Sequence, residues 1–216
     1  MAARGARHPR PTQVHHNSAR WTAAILAGGA ARRFGGRDKS SLIVAGQPIL
    51  ERQFAVLRQV AGSVVVVTNA LERQAPPKCQ VIGDVVRGSG ALGGLLAALL
   101  NSTTPWTLAL GCDMPFVTAP FLGYLCSLAE GGDVEAVVPR SADGLEPLCA
   151  AYSARALAVV RRQVESRSLK MTDLLAQLRV REIPASEVAP FDPRGTLFFN
   201  INSPRDYRRA LRLAEP

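Results

Sequence analysis

At 216 residues the chain is long enough for one domain with a full hydrophobic core, and no apolar run reaches bilayer-spanning length, which predicts a soluble protein with no membrane partner. Four of its nine net positive charges come from Arg4, Arg7, Arg10 and Arg20, which share residues 1–20 with no acid; the remaining surplus suits a small anionic substrate as readily as RNA or DNA. Aromatic residues, at 6%, are too few for a base-stacking surface, and all three histidines (His8, His15, His16) precede residue 21, which excludes a histidine relay or an imidazole metal site from the folded part.

Taken in chain order, residues 1–20 are polar, arginine-rich and punctuated by proline, with no apolar signal core. They read as a disordered basic tail; the arginine bias without acids also fits an organelle transit peptide. Residues 21–216 read as one domain. A strand over Thr22–Leu26 empties into the run Leu26-Ala27-Gly28-Gly29-Ala30-Ala31-Arg32-Arg33-Phe34-Gly35-Gly36-Arg37-Asp38-Lys39. Glycines after a strand expose backbone N–H groups, and Arg33 and Lys39 close over the same spot, a combination suited to nucleotide phosphates. The loop is not a Walker A motif, because Asp38 precedes Lys39, nor a G-x-G-x-x-G turn, because Gly28 and Gly29 are adjacent. The competing reading is a flexible glycine loop with surface arginines.

Pro48 then opens a helix with Ile49, Leu50, Phe54, Leu57 and Val60 on its apolar side. The run Ser63–Thr68, with four consecutive valines, predicts a strand buried on both faces, and Gln80–Ile82 a further one. A helix over Leu92–Leu100 leads to a strand at Trp106–Leu110, a helix at Thr118–Ala129 and a strand at Ala136–Pro139. Strands are also expected at Leu148–Tyr152, Val180–Ile183 and Leu197–Asn200, with helices at Ser153–Val164, Lys170–Leu178 and Pro204–Leu213. Thr118 and Ser203, each followed by an early proline, are the expected N-caps. This alternation predicts a single α/β domain with a mostly parallel sheet. Cys79, Cys112, Cys126 and Cys149 are irregularly spaced beside apolar segments and read as reduced thiols of a cytoplasmic protein.

Ligands of such sheets collect beyond the carboxyl ends of the strands. There the sequence places the glycine loop, Asn69, Asp84 and Asp113. Asp113, between an apolar strand and Pro115, is a natural oxygen ligand for Mg2+ on a nucleotide phosphate; capping the following helix is its bland alternative. Asn200 and Asn202 would point the same way if Leu197–Asn200 is a parallel strand, although Asn202 could also belong to a turn.

Together these residues resemble the molybdenum cofactor guanylyltransferases, of the nucleotidyltransferase group with a Rossmann-like three-layer fold. The resemblance rests on Leu26-Ala27-Gly28-Gly29 through Arg33, Gly35, Asp38 and Lys39; on Asn69, Asp84, Leu92 and Gly94; and on Cys112-Asp113-Met114-Pro115 and Asn200-Ile201-Asn202-Ser203-Pro204. It implies transfer of GMP from GTP to the terminal phosphate of molybdopterin with Mg2+ as cofactor. The glycine loop (Leu26, Ala27, Gly28, Gly29) would hold the triphosphate, with Arg33 and Lys39 neutralising the leaving pyrophosphate. Asn69 and Asp84 would contact the nucleoside, and Asp113 the metal. Asn200 and Asn202 would lie near the metal and the acceptor phosphate, and Arg167 and Lys170 would anchor that phosphate unless they are a solvated helix face.

The chain is expected to act as a monomer or weak oligomer without nucleic acid. The family's Gly-Pro-Leu is Gly90-Ala91-Leu92 here, which frees the backbone of that loop. Three rival readings follow from the sequence. One keeps the chemistry with CTP or another phosphorylated acceptor. Another takes Gly88-Ser89-Gly90-Ala91-Leu92-Gly93 as the dinucleotide turn of an NAD-dependent oxidoreductase. The third makes the basic tail part of a nucleic-acid-binding module.

Overall fold

The computed structural model describes residues 17–27, 41–69, 76, 79–86 and 88–215. In chain order the regular elements begin with β1 (Trp21–Leu26), the hairpin β2 (Ile43–Val44) and β3 (Gln47–Pro48), α1 (Ile49–Leu57), β4 (Ser63–Val67) and β5 (Gln80–Ile82). They continue through α2 (Gly90–Asn101), β6 (Trp106–Gly111), α3 (Ala119–Glu130), β7 (Ala136–Ser141), β8 (Gly144–Leu145) and β9 (Cys149–Ser153). The chain ends with α4 (Leu157–Glu165), α5 (Met171–Leu175), β10 (Val180–Ile183), α6 (Ala185–Val188) and α7 (Pro204–Leu213).

Apart from β2 and β3, which pair only with each other, the strands form one sheet in the order β10-β7-β9-β6-β1-β4-β5, with β8 paired to the end of β7. The ladders β1–β4, β1–β6, β4–β5 and β7–β10 are parallel, whereas β9 runs antiparallel to both β6 and β7. The expected mostly parallel α/β sheet is borne out. Its valine run shows why: Val64 and Val66 enter the core beneath α1 and α3, while Val65 and Val67 enter the core beneath α2, α4 and α5. Period-two alternation on a strand covered on both faces leaves no polar position.

The expected strand at Leu197–Asn200 does not form. Asp192 Oδ1 accepts the N–H groups of Thr196 (2.7 Å) and Leu197 (3.1 Å), and Phe199 N–H closes a turn on Thr196 O at 2.9 Å. The apolar side chains there are buried by ring packing instead, Phe198 edge-on to Phe121 of α3 and Phe199 tilted against Phe116. Other departures are small. Ser153–Val164 divides into a 3-10 turn at Ala154–Ala156 and α4, the helix expected over Lys170–Leu178 is the shorter α5, and β8 and α6 add to the expected elements. Ser203 caps α7 by accepting the Asp206 N–H, whereas the Thr118 side chain makes no capping bond to α3. Of the tail, residues 1–16 lie outside the described residues; Ser18–Arg20 forms a 3-10 turn, and Ser18 O accepts the Gly62 N–H at 2.8 Å. Among the described residues no helix is long and apolar enough to cross a membrane.

Candidate active site

Registers of the central strands bring their carboxyl ends level: Leu26 lies opposite Val67 and Gly111, and Val67 opposite Ile82. The ladder extends one residue further, with Ala27 N–H donating to Val67 O (2.8 Å) and Cys112 N–H to Leu26 O (3.2 Å). Leu26 and Ala27 are therefore fixed, buried backbone at the mouth of the glycine loop. Gly28, Gly29, Arg33 and Lys39 lie outside the described residues.

Asn69 and Asp84, which leave β4 and β5 at this same end, meet directly: Asn69 Nδ2 donates to Asp84 Oδ2 at 2.8 Å. Asp84 Oδ1 is buried and has no hydrogen-bond partner among the described residues. It sits over the start of α2, where a Cβ on Gly94 would lie 3.8 Å from it and 3.5 Å from Leu26 Cδ2. One carboxylate thus bonds Asn69 and lies beside α2, and its second oxygen is an acceptor with no partner among the described residues.

Asp113 occupies the turn Gly111–Met114 beyond β6 and is half-buried. Its carboxylate bends back over Gly111, where an added Cβ would lie only 2.9 Å from Oδ1. The Asp113 carbonyl accepts the Ile201 N–H at 2.9 Å, which docks the asparagine segment against this turn. Asn200 and Asn202 flank that contact, but not as alternate residues of a strand. Asn200 Nδ2 donates to Phe198 O at 3.1 Å, and the Asn202 backbone N–H donates to Asp206 Oδ2 at 3.1 Å.

Arg167 and Lys170 belong to the turn between α4 and α5 rather than to a helix face. α4 follows antiparallel β9 and so climbs toward the carboxyl ends of the parallel strands, which delivers this turn to the same end of the sheet. Arg167 has φ +57° in the left-handed position that ends a helix, with Arg167 N–H on Val164 O and Ser168 N–H on Gln163 O, both at 3.1 Å. Glycine is the usual occupant of such a position. Buried Gln163 shapes the turn, donating from Nε2 to Lys170 O at 3.0 Å.

Two further residues of the site were not legible as such. Gln53 of α1 is buried and bonds the Gly111–Met114 turn; its only signal was a polar residue among the core positions Ile49, Leu50 and Leu57. Glu146, between β8 and β9, is near enough to Asp113 to feel its charge. Burial raises its pKa above the ordinary value, a Ser141 hydrogen bond opposes this, and the Asp143 and Asp113 carboxylates add to the rise. No motif or spacing pointed to it. Among the described residues no three or more His, Cys, Asp or Glu are grouped to hold a metal ion. One or two carboxylate oxygens is the protein share of a Mg2+ site completed by substrate phosphates, so Asp113, with Glu146 nearby, could hold that ion. A pocket of ≈ 380 Å³ lies between the β7–β8 turn (Ser141, Asp143) and Phe198, Phe199 and Arg209; none of the predicted site residues among the described residues lines it.

The G-x-G-x-x-G run opens α2 as expected, with Gly88 and Gly90 at φ +82° and +56°. It follows β5, the edge strand, whereas a dinucleotide turn follows the central first strand of its fold. Comparison with known proteins agrees. Residues 23–181 match the model of the MobA-like NTP transferase domain. A probable molybdenum cofactor guanylyltransferase of Opitutus terrae is 34% identical over 91% of this chain and 97% of its own length. One of Pelotomaculum thermopropionicum is 31% identical over 90% and 93%. The crystal structure of molybdopterin-guanine dinucleotide biosynthesis protein A from Archaeoglobus fulgidus superposes with a TM-score of 0.77 at 28% identity, covering 89% of this chain and 97% of that one. With its strand ends, its Asp113 turn and most of its length matched in this way, the chain belongs to the family of MobA-like NTP transferase domains.

Proposed function

We propose that this chain transfers the guanylyl group of GTP to the terminal phosphate of molybdopterin, releasing pyrophosphate. An acceptor phosphate oxygen forms a bond to the α-phosphorus of GTP while the bond from that phosphorus to the β-phosphate oxygen breaks, its electron pair leaving with pyrophosphate. The substrate supplies the nucleophile, so the protein needs no covalent one; its work is alignment and charge neutralisation. That division of labour suits a folded part whose sequence holds no histidine after residue 20.

The observation that carries the reading is the meeting of Asn69 and Asp84 at the mouth of the glycine loop, level with the Asp113 turn. Asn69 and Asp84 take the nucleoside, the Asp84 Oδ1 acceptor facing a donor of the base or sugar. Arg33 and Lys39, from the loop that begins at Leu26, neutralise the triphosphate and the departing pyrophosphate. Asp113 holds Mg2+, which when bound offsets charge on the α-phosphate as the new bond forms. Asn200, Asn202, Arg167 and Lys170 orient the acceptor phosphate. The free thiols of Cys79, Cys112, Cys126 and Cys149 support a reducing compartment, the cytoplasm.

The test is a thermal-shift panel with GTP, CTP, ATP and NAD+, with and without Mg2+, followed by transfer of label from α-labelled GTP to molybdopterin. Stabilisation by GTP with Mg2+ and label in the dinucleotide product are expected. A preference for CTP would keep the chemistry and change the nucleotide, and a response to NAD+ alone would overturn the reading.

A further inference from the structure

The turn that carries Asp113 is closed only weakly by its own backbone bond. Its own i to i+3 bond, Met114 N–H to Gly111 O, is 3.4 Å long, beyond the ordinary range for N–H···O. The two ends of the turn are also joined by one side chain from another element. Gln53 Nε2 donates to Gly111 O at 2.7 Å and to Met114 O at 3.0 Å, so both amide protons are spent on the first and last residues of the four. Both partners are carbonyls, which settles that the atom between them is the amide nitrogen. Gln53 is 2% exposed, and its Oε1 is buried with no hydrogen-bond partner among the described residues.

An unpartnered buried acceptor is a cost that an apolar side chain of the same shape would not carry. The amide is therefore not explained by stability alone; what it uniquely supplies is a pair of donors on the Asp113 turn. Three further bonds of that turn, Gly111 N–H to Leu148 O (2.7 Å), Cys112 N–H to Leu26 O and Ile201 N–H to Asp113 O, are backbone bonds that any sequence could make. We propose that Gln53 is the positioning residue of Asp113, clipping the Gly111–Met114 turn so that the carboxylate is set for the metal before substrate arrives. The proposal rests on the reading of Asp113 as metal ligand. It also joins the site to α1, the helix that follows the glycine loop in the chain.

The test uses the full chain with Mn2+ as probe in the presence of GTP, free Mn2+ being read by electron paramagnetic resonance. Four variants are compared: Gln53→Met, which keeps volume without donors; Gln53→Leu; Asp113→Ala; and Leu57→Ala, which weakens α1 elsewhere in the core. Loss of a residue that orients a ligand typically lowers metal affinity by about 10- to 100-fold, and Gln53→Met is expected to raise the Mn2+ Kd by roughly 10-fold or more. Leu57→Ala should lower the melting temperature and leave that Kd unchanged. A Gln53→Met or Gln53→Leu protein that binds Mn2+ within twofold of the parent, while Asp113→Ala is impaired, overturns the positioning role alone. Unchanged binding in Asp113→Ala overturns the metal-ligand reading, and the positioning role with it. Failure of both Gln53 variants to fold would make the residue part of the packing and overturn it as well.

Discussion

The backbone N–H of Ile201 donates to the carbonyl of Asp113 at 2.9 Å, so the C-terminal asparagine segment and the turn after β6 form one unit. Ile201 is buried with Val44, Ile49 and Ala210, which ties that unit to the β2–β3 hairpin and α7. Asp113→Ala and Lys39→Ala are each expected to lower kcat by on the order of 100-fold, the usual loss when one preorganised transition-state contact is removed. Steady-state assays with both substrates saturating measure this; near-parental rates in both variants would rule out this cleft.

Asn69 and Asp84 are expected to act on binding more than on the chemical step, because they meet beyond β4 and β5 rather than at the Asp113 turn. Asp84→Ala should raise the KM for GTP by about 10-fold with little change in kcat, the signature of lost uniform binding, and equal to about 1.4 kcal/mol. A fall in kcat at unchanged KM would instead place Asp84 at the reacting phosphate.

Arg167 lies in a left-handed conformation that costs a non-glycine residue roughly 1–2 kcal/mol. Arg167→Gly should therefore stabilise the fold by roughly 1 kcal/mol, raising the melting temperature by about 2–4 °C in a chain of this length. At the same time the KM for the acceptor should rise several-fold through loss of the guanidinium. Calorimetry and acceptor titrations separate the two effects, and a lower melting temperature would contradict the strain argument.

Tyr124 of α3 donates its hydroxyl to Glu187 of α6 and stacks on Phe191. Burial, then the Glu187 bond, push its pKa from 10.0 up to about 12. The folded state therefore binds this proton more tightly than the unfolded state, and the associated stability, present below pH 10, is lost as pH rises toward 12. Tyr124→Phe should be less stable at pH 8 by about 1 kcal/mol, the net worth of one hydrogen bond. The difference between the two proteins should narrow between pH 10 and 12. Paired thermal melts across that range measure it; a gap independent of pH would mean that the hydroxyl bond is not linked to titration.

Local pattern was enough for the elements whose fate depends on local pattern. Four consecutive valines in β4 can only be buried on both faces, the apolar spacing of α1 selects one side of a helix, and Ser203 before Pro204 caps α7. Glycine-rich and acidic residues at strand ends were legible for a similar reason: in a parallel sheet every strand delivers its carboxyl end to one edge, so Asn69, Asp84 and Asp113 had to arrive together once the strands were known. Tertiary structure alone decided what depends on a distant neighbour. Leu197–Asn200 has strand-like composition, yet a strand needs an open edge to pair with, and Asp192 captures its N–H groups first. The reversed direction of β9, set by its pairing between β6 and β7, determines where Arg167 and Lys170 emerge. Gln53 is a polar residue beside the apolar stripe of α1, and its two acceptors, Gly111 and Met114, reach it only because the fold sets the end of β6 against that helix. Hydrogen bonds between residues remote in sequence leave no period or spacing behind them, which is why the donor that shapes the Asp113 turn became visible only in the folded chain.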